Sequence, residues 1–203
     1  MNNWILPETQ KEIEAFRQEE LEKRQSVESN CFSDNNLSPN YVLIDAALWD
    51  TDINMLFLDE KIIYKSLFRG STGEKLWSVA PYLVDISSNE KLVKQIKEMN
   101  PVERRVMWLS SSLNIDELRK HLRRFLRMKK EDGDYIYFRF YDPFVANTVF
   151  PNLSHEQAVQ FFEKIDYLIA DDIRINERHI FYLSSDKILQ IKHQSLDHVD
   201  NNK

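Results

Sequence analysis

The chain has 203 residues, a formal net charge of −6, three glycines and a single cysteine. Scarce glycine argues against phosphate cradles and dinucleotide fingerprints, which need close backbone approach without a Cβ, and the negative charge argues against a bulk nucleic-acid binder. The lone Cys31 excludes an internal disulfide and points to a reducing compartment. An apolar fraction of 42% is enough for a sizeable core, and 30% charged residues make a well-solvated surface. The opening MNNWILPETQKEIEAF lacks the basic start and apolar centre of a signal peptide, and no apolar run approaches the ~20 residues that span a bilayer. A cytoplasmic chain that does not cross a membrane is the expectation.

In chain order, Pro7 and the following ETQKEIEAFRQEELEKRQSVE predict a helix with proline in its first turn. From Glu8 to Asp34 there are eight acids against four bases, a net of −4, so this is an acidic arm. The polar run SNCFSDNNLSPN, Ser29 to Asn40, is the best boundary in the sequence. YVLIDAA from Tyr41 is a buried strand, WDTDINMLF a short helix from about Asp50, and Ile62 to Phe68 a second strand. Arg69 to Lys75, RGSTGEK, reads as a loop, and YLVDI after Ala80-Pro81 as a strand. A helix follows from Ser88 with Leu92, Ile96 and Met99 on one face, then a strand from Arg105 to Leu109.

Asn114 caps the next helix, whose apolar stripe is Ile115, Leu118, Leu122 and Phe125. LRMKK and YIYFRFY flank Asp132-Gly133, a hairpin signal because Asp-Gly tolerates positive φ. Helices are expected at Val145–Phe150 and, capped by Ser154, at His155–Glu163. DYLIA and RHIFYLS read as closing strands, and the polar tail from His193 as loose. The expected class is mixed α/β: a mixed β-sheet covered by helices, with a β-hairpin after a basic helix and an N-terminal helical arm. The boundaries are residues 1–40 for arm and linker, 41–184 for the domain and 185–203 for the tail.

Two groups of residues invite a functional reading. From Arg104 to Lys130 nine Lys or Arg stand against two acids, a net of +7. Within it, Arg119, Lys120, Arg123, Arg124 and Arg127 fall largely opposite the apolar stripe. They read either as a docking surface for an acidic partner or as a solvated face that complements the helix dipole. Beyond the turn, side chains alternate, so Tyr135, Tyr137, Arg139 and Tyr141 share one side. Aromatics beside a base suit RNA bases, but a half-buried sheet face with Arg139 stacked between tyrosines or paired with an acid is the commoner cause.

Apolar runs end at or near Asp45, Asp85, Asp142, Asp171 and Asp172. Acids at strand ends suit magnesium and a phosphate substrate. They also end strands simply because Asp bonds nearby backbone N–H groups, and this local reading is favoured. RGSTGEK lacks the phosphate-loop spacing. The histidines at 121, 155, 179, 193 and 198 show no i, i+4 pair and no cysteine partners, so neither a metal site nor a cofactor is expected, and no enzyme.

Taken together, YVLIDAA, VAPYLVDI, LRKHLRRFLRM, an Asp-Gly turn and FRFYDPFVANTVFPNLSHEQAVQFF resemble a bacterial family. It is the type VI secretion effector chaperones or adaptors (domain of unknown function four-one-two-three), and the resemblance spans about Tyr41 to Phe162. The resemblance implies a protein that binds a cognate toxin and helps load it onto the VgrG spike, with no catalytic role, cofactor, nucleic acid or membrane. Candidate anchors on that reading are Tyr82, Tyr137, Tyr141 and Arg139, with the basic helix steering an acidic partner. The acidic arm and short polar tail depart from the family pattern. The alternatives are a magnesium-dependent phosphotransfer or hydrolytic enzyme using Asp45, Asp85 and Asp142, and an RNA-binding module.

Overall fold

The computed structural model describes residues 37–49, 57, 61–97, 106–130 and 133–196. The acidic arm and the helix expected from Asp50 lie outside the described residues. Among the described residues seven strands form one sheet in the order β2-β3-β1-β4-β7-β8-β9, with antiparallel pairing throughout. They are β1 (Tyr41–Asp45), β2 (Tyr64–Ser66), β3 (Pro81–Asp85), β4 (Val106–Ser110), β7 (Tyr167–Asp172), β8 (Glu177–Leu183) and β9 (Leu189–Ser195). Two further strands, β5 (Arg127–Lys129) and β6 (Tyr135–Tyr137), make a separate hairpin. The helices are α1 (Gly70–Lys75), α2 (Glu90–Lys97), α3 (Ile115–Leu122), α4 (Pro143–Val149) and α5 (His155–Phe162). The mixed α and β class read from the sequence is the one observed.

The continuous apolar run YVLID is explained by burial on both faces of the sheet. Period-two alternation sends Tyr41 and Leu43 to one core and Val42 and Ile44 to the other. The second core is closed by Leu92 and Ile96 of α2. The first is dominated by Phe125, Phe140, Phe150, Phe161, Phe162 and Phe181, all nearly inaccessible. Most of their rings meet edge-on or tilted, with Phe150 4.9 Å from Phe161 and 5.2 Å from Phe181, while Phe162 stacks on Phe181 at 6.4 Å. Helix α3 buries its predicted stripe against this core. Asn114 caps it by accepting from the backbone N–H groups of Asp116 and Glu117. Ser154 and Gln157 form a capping box at α5.

Three expectations are corrected. Arg69 to Lys75 is largely helix α1, not loop. Gly70 takes φ +59 at the turn into it, and Gly73 packs so close that an added Cβ would lie 3.3 Å from the Phe68 carbonyl carbon. The glycines that suggested a loop answer to these two local demands. The second strand shrinks to Tyr64–Ser66 at the sheet edge. The tail does not loosen at His193. LQIKHQS forms β9 and pairs with β8 throughout, with Leu189 buried and Ile191 packed against the first core. An edge strand half in solvent carries little apolar signal, which is why the segment read as tail.

Candidate interaction surface

Helix α3 and the 3-10 turn after it, Arg123–Phe125, carry the basic cluster. The structure divides these cations into two kinds. Arg119 donates from Nε to the Ser66 carbonyl at 2.6 Å and from Nη2 to the Phe68 carbonyl at 3.0 Å. Arg123 donates from Nε to the Leu67 carbonyl at 2.8 Å. Both are half-buried, so the expectation that they face solvent is corrected. The chain leaves the sheet at Ser66, and its carbonyls there need donors from elsewhere. Burial lowers the Arg123 pKa, and the charges of Arg119 and Arg69 beside it push the same way. By contrast Lys120, Arg124 and Arg127 are exposed. Arg124 lies 5.6 Å over Phe125 and Arg127 4.7 Å over Tyr135.

The hairpin β5–β6 continues this face. Tyr135 and Tyr137 remain 47% and 46% exposed, opposite Lys129 and Arg127. Strand alternation stops at Tyr137, so Phe138, Phe140 and Tyr141 are all buried. Tyr141 therefore does not share the exposed tyrosine face, although its hydroxyl and that of Tyr137 are hydrogen-bonded to each other. Burial pushes the Tyr141 hydroxyl up to about 12 and raises that of Tyr137 as well.

Arg139 is an internal partner. It donates to the Asp45 carboxylate, approaches Asp142 at 3.9 Å, and lies 5.9 Å over Tyr141. Asp45 is fully buried at the end of β1, and burial raises its pKa even though Arg139 opposes the shift. Tyr82 is buried too, its hydroxyl donating to the Trp77 carbonyl at 2.7 Å and its ring packed edge-on against Phe57 and Tyr64. Neither Tyr82 nor Tyr141 presents a free anchor to solvent. Exposed large apolar groups include Ile63, just before β2, and Leu76, Trp77 and Val79, just before β3. Reading the sequence missed them because EKLWSVA fits no period.

The family model for Domain of unknown function (DUF4123) matches residues 40–160, more than half of the chain. The chain belongs to the DUF4123 family. This family is associated with type VI secretion effectors as an adaptor family. No curated protein and no solved structure matches the chain. The DUF4123 match runs from β1 into α5, so it contains the basic helix, the hairpin and the Asp45–Arg139 pair. Among the described residues no helix is long and apolar enough to cross a membrane.

Within the DUF4123 region Asp45, Asp85 and Asp142 do not form one site: Asp45 and Asp142 share Arg139 between them, and Asp85 lies apart. Asp45 pairs with Pro81 while Asp85 pairs with Tyr41, so the two aspartates stand at opposite ends of the paired strands. Four residues of strand separate them, about 13 Å at ~3.3 Å per residue. Asp85 bonds the Ser87 backbone N–H at 2.9 Å and Asp142 that of Phe144 at 2.9 Å. Further on, Asp171 pairs with Arg178 at 2.7 Å and Asp172 with Arg174 at 2.8 Å. The local reading of these acids is the one their geometry fits. The histidines are another matter. Outside the matched residues, β8 and β9 bring Glu177, His179 and His193 within ligand distance of one another. Sequence spacing hid this grouping, because it combines an i, i+2 strand pair with a residue across the ladder.

Proposed function

We propose that this DUF4123 protein is a cytoplasmic type VI secretion adaptor. It binds a cognate toxic effector and promotes its loading onto the VgrG spike, without catalysis of its own. The observation that carries this reading is the family match over residues 40–160. Support comes from the face built by Lys120, Arg124, Arg127, Tyr135 and Tyr137. Exposed tyrosines beside arginines are the residue types that dominate binding energy, and Tyr gives large contact area at low entropic cost. Rim cations steer an acidic partner and raise its association rate.

The test is co-expression with the adjacently encoded effector and with VgrG, purifying through a tag on either partner. Both should co-purify, and deleting the gene should abolish delivery of that effector. If neither co-purifies and delivery survives the deletion, the adaptor reading fails. Nucleic acid co-purifying with the wild type, seen as a high ratio of absorbance at 260 to 280 nm, would favour RNA binding instead.

A further inference from the structure

We propose that Glu177, His179 and His193 bind one divalent transition-metal ion of the zinc class, which fastens edge strand β9 to the sheet. The strand ladder makes the group. His179 and His193 are direct cross-strand partners, and Glu177 lies two residues before His179 on the same side of β8. Glu177 Oε2 is 3.2 Å from His179 Nε2 and 2.9 Å from His193 Nδ1, and the two imidazoles meet edge-on at 4.5 Å. Around a tetrahedral ion with bonds of ~2.0–2.1 Å, ligand atoms lie about 3.3 Å apart. Glu177 Oε2 therefore already stands within a few tenths of an ångström of that spacing from each imidazole nitrogen, and the ligand atoms all lie within 4.8 Å of one another.

The other ring nitrogen of His179 is held in the way metal ligands are. Its Nδ1 lies 3.0 Å from Oδ1 of Asn147, a buried residue of α4. An amide oxygen there accepts the Nδ1–H and leaves the Nε2 lone pair directed at Glu177 Oε2. A lone pair facing a carboxylate oxygen at 3.2 Å needs a proton or a cation between them.

Two imidazole nitrogens and one carboxylate oxygen suit zinc, cobalt, nickel or copper better than magnesium or calcium. The side chains of His193 and Glu177 are 54% and 38% exposed, which gives the ion a way in and leaves a position for water. Asp172, across the ladder from Glu177, is held by Arg174 and adds negative charge near His179 without serving as a ligand.

The full chain, purified without a polyhistidine tag and stripped with chelator, is titrated with zinc chloride alone and with cobalt chloride alone. The expected result is one ion per chain, a visible cobalt band of low coordination number, and a melting temperature that rises with zinc by mass action. His193→Ala, at an exposed position, should weaken zinc binding at least tenfold and remove the cobalt band, while exposed His155→Ala leaves both intact. Asn147→Ala should weaken binding by ~10–100-fold with the stoichiometry kept. Failure of the folded wild type to take up zinc at tenfold excess overturns the proposal. So does a folded His193→Ala that binds like the wild type.

Discussion

Arg119 offers the sharpest test of how the basic helix is divided between holding and docking. In Arg119→Ala the carbonyls of Ser66 and Phe68 lose donors at 2.6 and 3.0 Å. A hydrogen bond to a charged group contributes ~1.5–3 kcal/mol net. The guanidinium is only half-buried and water replaces part of what is lost, so the sum is about 2 kcal/mol rather than double that range. With a urea m-value of about 2 kcal/mol/M, the unfolding midpoint should fall by about 1 M with unchanged m. Arg123→Ala removes one such bond, at 2.8 Å, and should lower the midpoint by about half as much. The double variant should lose slightly more than the sum, because each single removal already relieves the repulsion between the two cations and that relief counts only once in the double. Lys120→Ala and Arg124→Ala are exposed surface changes and should stay within about 0.5 kcal/mol. If Arg119→Ala moves the midpoint no further than Lys120→Ala, the pins are not holding the Ser66–Phe68 segment and the division is wrong.

Charge reversal of the exposed pair, Lys120→Glu with Arg124→Glu, should leave the melting temperature unchanged yet slow association with the effector or VgrG, most visibly at low salt in surface plasmon resonance. Asn114→Ala should lower stability by about 1 kcal/mol in urea unfolding, because two backbone N–H groups lose their acceptor. Hydrogen bonding from Arg174 lowers the folded Asp172 pKa, so the stability it supplies is full above the ordinary carboxylate range and fades as pH falls through the folded value. Asp172→Asn should therefore cost stability at neutral pH and flatten the acid limb of a melting-temperature profile. His121 donates from Nε2 to the Phe161 carbonyl at 2.7 Å, and burial lowers its pKa. The unfolded chain then takes up the proton first, so stability falls as pH drops below about 6.5. His121→Gln should reduce that fall.

Much of the fold was legible because local signals and burial agreed. The stripe Ile115, Leu118, Leu122 and Phe125 named a helix, Asn114 and Ser154 named its start and that of α5, and Asp-Gly named the hairpin. Several of the misses depend on contacts between segments distant in sequence. The orientation of Arg119 and Arg123 depends on three carbonyls more than fifty residues earlier, and helical periodicity carries no word of them. Alternation assigned Tyr141 to the face of Tyr137, but the strand ends at Tyr137 and the next turn carries Tyr141 inside. The alternative that Arg139 pairs with an acid was legible as chemistry. The acid, Asp45, lies 94 residues away and comes from the ladder. The metal-ligand grouping required the register of β9, a strand too polar to announce itself.

These long-range polar contacts do more than correct single assignments. Arg119 and Arg123 tie α3 to the segment after β2, and Arg139 ties the chain after β6 to the end of β1. The basic helix and the tyrosine hairpin are therefore anchored at separate points on one sheet, above a packed phenylalanine core. Burial of Asp45 makes its pair with Arg139 a poor source of net stability, since removing a carboxylate from water costs much of what the ion pair returns. Its role is better understood as positional, because an unpaired buried carboxylate would be costly and Arg139 is the cation that pairs with it. A surface fixed in this way loses little conformational freedom when a partner docks, and affinity improves as that loss shrinks. On the proposed adaptor reading, half the cations hold the frame and the other half, with Tyr135 and Tyr137, are left to meet a partner.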